Sequence, residues 1–384
     1  MKFEFTTANP IIFGAGTSAH IGATAKAFGS RALVITGASP GRADKLLAEL
    51  AANGVSSATF AVKGEPEIAT VEAGVEVAKR ENCEFVVSLG GGSVIDAGKA
   101  VAAMMTNGGV LLDYLEIIGR GQPLKKRAAP FIAIPTTAGT GSEVTRNAVL
   151  ASRLHRLKVS LRSPLMMPSV AVVDPELTYD LPPALTATTG LDALTQLIEP
   201  YVCLRANPLT DGFCVEGVHR AARSLREAVF NPANKSARED MALAGLLGGL
   251  ALANAGLGAV HGFAGPIGGM FPAPHGAVCA ALLPHVMAAN LCALRERELQ
   301  NYALPRYNRL AALLTGNPHA NADAGVEWVR KLVADLPIPK LGAYGLSEAD
   351  VPDLVAKAAQ ASSMKANPIV LTPGELAETL RLAL

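Results

Sequence analysis

Along the first half of the chain, short runs of apolar and β-branched residues alternate with segments whose apolar residues recur every three or four positions. ALVITG (32–37), SSATFAV (56–62), FVVSLG (85–90), PFIAIP (130–135) and VAVVDP (170–175) are short β-rich runs with the length and composition of strands. Between them, ADKLLAELAANG and TVEAGVEVAKRENC carry apolar residues at helical spacing. This alternation predicts a mostly parallel sheet covered by helices on both faces. After about Leu181 the β-rich runs stop, and Ala/Leu-rich segments punctuated by Gly and Pro take over. The expected organisation is α/β over residues 1–180 followed by an all-α domain over 181–384.

Composition narrows the classes of function. With 384 residues the chain is long enough for two cores, and with half its residues apolar and a formal charge of +1 it has no general electrostatic reason to bind nucleic acid or an anionic membrane. Cys83, Cys203, Cys214, Cys279 and Cys292 are an odd number without CxxC or any metal-ligand spacing, which predicts buried free thiols in a reducing compartment. MKFEFTTANPIIFG has neither an apolar core nor a small-residue cleavage site, so the expectation is cytoplasmic. MALAGLLGGLALANAGLGAV (241–260) has the length of a bilayer span but carries Asn254 and lacks flanking aromatic anchors. It is expected to be one central helix of the second domain, closely packed at Gly245, Gly249 and Ala253.

Two polar loops follow strands. In SLGGGSVIDAGKAVA, Gly90, Gly91 and Gly92 remove side chains where backbone approaches a ligand, and Ser93 and the first helical N–H groups suit a phosphate. A tight strand-to-helix turn uses glycine for conformational reasons too, so this loop alone decides nothing. IPTTAGTGSEVTRNAV gathers Thr136, Thr137, Thr140, Ser142 and Thr145 around Gly139 and Gly141, as in a loop wrapping a polar ligand or one bonded to itself. Neither is a GxGxxG fingerprint. In the second half, GLDALTQLIEPYV places Asp192 and Gln196 four residues apart on one helix face, with His261 at the end of the apolar segment and His275 in a PAPHG turn. One carboxylate and two imidazoles form an ordinary set for Zn2+ or Fe2+, while a lone histidine on an apolar face is more often a core residue.

FGAG, GGGSVIDAGKA, IPTTAGTGSEVT, GLDALTQLIEPYV, VHGFAGPIGG and PHGAVCAALLPHV, in this order, resemble the iron-containing (group III) alcohol dehydrogenases. The resemblance implies a dehydroquinate-synthase-like fold, with an N-terminal nucleotide-binding α/β domain and a C-terminal helical metal and substrate domain. It implies that Gly91, Gly92 and Ser93 hold a pyrophosphate and that Thr136, Thr140, Thr145 and Lys158 line the cofactor. Gly37, Ser39, Asp96, Thr137 and Ser142 are counted with them. It places Asp192, His261 and His275 on metal-ligand positions.

The chain departs from the family pattern at three points. Gln196 stands where a third histidine is usual; its carbonyl oxygen is a weaker donor to Fe2+ or Zn2+ and is counted either as a ligand or as a hydrogen-bonding or substrate contact. Gly265 stands where many members have a proton-relaying histidine, and its missing side chain widens any pocket there. Gly37 stands where NAD-using members have an aspartate; without that carboxylate, and with Ser39, Arg42 and Lys45 following, NADP(H) is expected over NAD(H).

The expected activity is reversible hydride transfer between a small alcohol and its aldehyde or ketone, in a homo-oligomer, with His261, His275 and Gln196 acting at the reacting oxygen. Two alternatives are a maleylacetate-reductase-like keto-acid reductase and a metal-free NADP-binding protein.

Overall fold

The computed structural model describes residues 2–384. Two compact units divide the chain. One comprises residues 6–137 and 141–179; the other comprises residues 2–5, 138–140 and 180–384.

The first unit holds a six-stranded parallel sheet of order β1-β8-β5-β4-β2-β3. Its strands are β1 (Ile11–Phe13), β2 (Arg31–Thr36), β3 (Ser56–Ala61), β4 (Phe85–Gly90), β5 (Phe131–Pro135) and β8 (Val170–Val173). The helices between them are α1 (Gly22–Lys26), α2 (Asp44–Ala52), α3 (Ile68–Arg80), α4 (Gly92–Asn107) and α5 (Leu111–Tyr114). Alternate residues of β2 feed opposite cores: Ala32 and Val34 meet Leu46 and Leu50 of α2, and Leu33 and Ile35 meet the layer of α3 and α4. Both faces are therefore covered, which is why β2, β4, β5 and β8 read as nearly unbroken apolar runs, while β3 at the sheet edge has no buried residue.

A second sheet, β6 (Asn147–Ser152) and β7 (Leu157–Arg162), is an antiparallel hairpin. Its inward residues Ala148, Leu150, Val159 and Leu161 join the α3/α4 core. Neither this hairpin nor β1 was expected from the strand pattern.

The remaining helices are α6 (Pro183–Val202), α7 (Pro208–Phe230), α8 (Lys235–Asn254), α9 (Ala259–Met270), α10 (His275–Arg297), α11 (Ala303–Thr315), α12 (Ala322–Asp335), α13 (Val351–Gln360) and α14 (Pro373–Ala383). They form the helical unit around α6, which is buried from Gly190 to its last residue. Arg238, only 2% exposed, fastens the start of α6 by donating to the Thr186 hydroxyl at 2.8 Å and the Leu181 carbonyl at 3.3 Å.

The segment 241–260 is not one helix. It breaks after Asn254, and α8 and α9 meet at 97°, so His261 lies in the first turn of α9 rather than at the end of α8. The break follows from Gly256, whose φ of +134° a side chain would strain. The helix α10 also has the length and apolarity of a bilayer span, but 78% of that window is buried inside the fold, as in a core helix.

In the first unit Glu143 is 3% exposed, and burial pushes its carboxyl up to about 7, with its own backbone amide and the nearby Lys99 opposing the shift. A carboxyl whose pKa is raised on folding stabilises the fold fully below its ordinary value of 4.5, and that stability is lost as pH rises to about 7. Glu143→Gln is expected to flatten the dependence of the thermal midpoint on pH across this window. A wild-type profile that is level there would show that Glu143 is ionised in the fold.

Candidate active site

Every strand of the six-stranded sheet is parallel, so the residues that follow the strands share one edge. From β2 the chain moves outward to β3, and from β4 it moves the opposite way to β5, so β2 and β4 flank the switch point. In open α/β sheets this is where ligands bind. Gly37 follows β2 and Gly91 follows β4 at this place.

Gly91 is the N-cap of α4 and has no side chain to cap it, so the amides of Gly92 and Ser93 are the helix's candidate donors for an anion. Gly91 backs onto Thr137, whose Cγ2 lies 3.4 Å from where a Cβ would stand. At Gly37 a Cβ would meet only Val94 Cγ2, at 3.9 Å, so the glycine leaves open space. Ser39, Arg42 and Lys45 just beyond it are exposed.

The polar loop after β5 is clipped to α4. Lys99, 1% exposed, donates to the Ser142 carbonyl and the Thr145 hydroxyl, both at 3.0 Å, and its ammonium lies 2.9 Å from Asp96. Asp96 also accepts from the Ser142 hydroxyl at 2.5 Å and from the Val149 amide at 2.9 Å. Asp96, Ser142 and Thr145 thus bond to one another and to Lys99, a residue that sequence reasoning passed over. Thr136 is buried, and Thr140 groups with the helical unit together with Ala138 and Gly139. Lys158 on β7 is paired with Glu65 at 3.0 Å.

In the helical unit, α6 presents Asp192, Gln196 and Glu199 at i, i+4 and i+7, all 4% exposed or less. His261 comes from the first turn of α9, and His275 is the first residue of α10 rather than part of a free turn. Gly276 lets α10 begin there, because a Cβ would stand 2.4 Å from the Thr188 carbonyl oxygen of α6. Asp192 Oδ1 lies 3.5 Å from the Nε2 of each histidine. That distance exceeds a good hydrogen bond, and Asp192 Oδ1 and Gln196 Oε1 are both buried without a hydrogen-bond partner. A buried orphan carboxylate oxygen 3.5 Å from two imidazole nitrogens fits a divalent cation.

Glu199 supports this group from behind. Its Oε2 lies 2.6 Å from His261 Nδ1, and its Oε1 accepts from the Val260 amide at 2.7 Å. It therefore caps α9 and turns Nε2 of His261 toward Asp192, as carboxylates behind metal-bound histidines do. Asn367, from the MKANPIV segment, accepts from the next amide, Ala259, at 3.1 Å. Glu199 was legible in principle, being seven residues beyond Asp192 on the same face.

The charges respond to one another. Burial opposes the charged form of His261, but the Cys279 sulfur, Glu199 and Asp192 outweigh it and hold its pKa well above the ordinary value. His275 is likewise raised, with burial opposed by Cys279 and Asp192. Burial would raise the Asp192 carboxyl, yet His275 and His261 carry it below its usual value. A cation entering here competes with the imidazole protons.

The thiols are not uniformly buried: Cys292 is exposed, Cys83 is half-buried, and Cys203, Cys214 and Cys279 are buried. Gly265 lies one turn beyond His261 on α9, and no atom stands within 4 Å of where its Cβ would be.

A doubly wound sheet with a glycine turn at its switch point offers an anion site of the kind that holds a nucleotide's phosphates, and the helical unit of the same chain carries a carboxylate and imidazole cluster suited to a divalent cation. The profile described as "Iron-containing alcohol dehydrogenase" matches residues 8–175, and that of "Fe-containing alcohol dehydrogenase family, C-terminal" matches residues 186–384. The 1,3-propanediol dehydrogenase of Citrobacter freundii is 36% identical, over 99% of this chain and 98% of that protein. The NAD-dependent methanol dehydrogenase of Bacillus methanolicus is 34% identical, over 97% of each. A crystal structure of 1,3-propanediol oxidoreductase superposes with a TM-score of 0.91, at 35% identity and full coverage of both chains. The chain belongs to the iron-containing alcohol dehydrogenase family, whose members use a dinucleotide and a divalent metal.

Glu199→Gln keeps an acceptor for the Val260 amide but removes the anion facing His261. Divalent-metal affinity, measured by chelator competition, is expected to fall roughly 10–100-fold with the fold intact. An unchanged affinity would separate Glu199 from the site.

Proposed function

We propose that this chain is an NADP(H)-preferring alcohol dehydrogenase, a cytoplasmic homo-oligomer acting on a small alcohol, aldehyde or ketone. In this reading residues 1–180 bind the nucleotide and residues 181–384 hold the metal and substrate. The observation that carries it is the orphaned oxygen Asp192 Oδ1, buried 3.5 Å from Nε2 of both His261 and His275; Gln196 Oε1, one turn along α6, is buried and orphaned too. Asp192, His261 and His275 hold the cation, and Gln196 offers a neutral oxygen to the cation or the substrate. The bound cation supplies Lewis acidity that polarises a carbonyl or steadies an alkoxide.

The remaining chemistry is position and charge. The first N–H groups of α4, at Gly92 and Ser93, take the pyrophosphate, while Lys99 and Asp96 hold the Thr136–Thr145 loop against α4. Glu199 fixes the imidazole of His261, so the ring does not have to reorganise during the reaction. Gly265 offers no proton carrier, so the alcohol proton leaves through water or a cofactor hydroxyl.

Gly37 supports the NADP(H) preference. The end of β2 carries no carboxylate to repel a ribose 2′-phosphate, and Ser39, Arg42 and Lys45 are exposed nearby. Relatives include an NAD-dependent methanol dehydrogenase and a sulfoacetaldehyde reductase solved with NAD+, so the preference is a point on which this chain would differ.

Steady-state kinetics with NADPH and NADH across an aldehyde panel should favour NADPH. Gly37→Asp should shift the ratio of kcat/KM values toward NADH, and an unaltered ratio would move the selectivity elsewhere. His275→Ala should abolish turnover while leaving NADPH affinity within about a few fold. Turnover that survives would end the metal role given to His275.

A further inference from the structure

Cys279 is a fourth member of the cluster. It stands one turn after His275 on α10 and is fully buried. Its Sγ lies 3.7 Å from His275 Nε2 and 3.9 Å from His261 Nε2. One donor atom from each of Asp192, His261, His275 and Cys279 falls within 4.8 Å of all the others.

Four of the six separations match the edges of a small tetrahedron, and the other two are no longer than 4.8 Å. Bonds of about 2.0–2.1 Å to nitrogen or oxygen and about 2.3 Å to sulfur imply edges of about 3.3 Å for N···O and about 3.6 Å for N···S. The corresponding distances here are 3.5 Å for both Asp192 to histidine edges and 3.7 and 3.9 Å for the sulfur edges. Asp192 Oδ1, 1% exposed in its residue and without a hydrogen-bond partner, independently marks the centre as a cation's place.

We propose that Cys279 is a thiolate ligand and that the site selects zinc over iron. The inference rests on the reading above that the cluster holds a cation, and it adds the fourth donor. On binding, the S–H bond of Cys279 breaks, its proton passes to solvent, and the sulfur lone pair forms the new bond to the ion. A thiolate donor favours the borderline-soft Zn2+ over Fe2+, and the general affinity order runs the same way. Gln196, a weak neutral donor, does not offset that preference. The family's name would then mislead as to this chain's metal.

The test loads metal-stripped protein with Co2+, whose near-ultraviolet charge-transfer band appears with thiolate ligation and is absent from sites of nitrogen and oxygen alone. Wild type should show the band, and Cys279→Ser should lose it while still binding Co2+ at least about tenfold more weakly. X-ray absorption of the zinc-loaded wild type should show one sulfur at about 2.3 Å, an answer that stands even if the variant fails to fold. In competition, Zn2+ should displace Fe2+.

Bound Co2+ without the band, or zinc without sulfur in its shell, would overturn the role of Cys279 and leave the Asp192, His261 and His275 site standing. A band that persists in Cys279→Ser would assign it to another cysteine and overturn the proposal. Failure of either ion to bind would overturn both this inference and the metal reading on which it rests.

Discussion

The carboxylate of Glu199 is the constraint on which the rest of the site depends. Two histidines arrive on the first turns of two different helices, and the turn bearing His261 has amides that need acceptors. Glu199 answers this with one buried group, accepting from the Val260 amide and meeting the His261 ring. A hydrogen bond to an ionised partner is about twice as strong as a neutral one, and burial sharpens it. Gly258 makes the approach feasible, because a Cβ there would stand 2.9 Å from both Glu199 Oε1 and Asn367 Oδ1. Helix entry, ring orientation and the direction of Nε2 are thus settled together.

The α/β unit uses the same economy with the charges reversed. Lys99 is a buried cation that joins α4 to the loop after β5, and its partners Asp96, Ser142 and Thr145 also bond among themselves. Removing one member of such a group leaves another buried and unpaired, which is why these arrangements stay rigid. Rigidity here means that the uncapped start of α4 and the polar loop keep a fixed relation within that unit.

Much of this was legible in the chain, and the limits have physical causes. Four strands were readable because strands covered on both faces form continuous apolar runs, and the edge strand β3 was readable from its short β-rich composition between helical segments. The hairpin β6–β7 was not legible because only alternate residues of NAVLAS and LKVSLR are buried, so neither forms a continuous apolar run, and β1 was not because three residues make too short a pattern. The break between α8 and α9 escaped because Ala/Gly composition extends straight through it. Asp192 and Gln196 share a face by spacing, and so do Asp192 and Glu199, or His275 and Cys279. Periodicity shows which residues share a helix face; it does not show which faces of different helices meet, and that meeting is what turns Cys279 from a core thiol into a neighbour of two imidazoles.

The cap on α9 also has a consequence for the order in which the molecule is made. Asn367 lies 108 residues downstream of the Ala259 amide that it receives. During synthesis, at about 5–20 residues per second, the turn bearing His261 leaves the ribosome several seconds before that partner exists. Until then α9 has only the cap that Glu199 provides at the Val260 amide. The second cap on α9 therefore forms only once residue 367 has been made, whereas Asp192, His261, His275 and Cys279 all precede it in the chain.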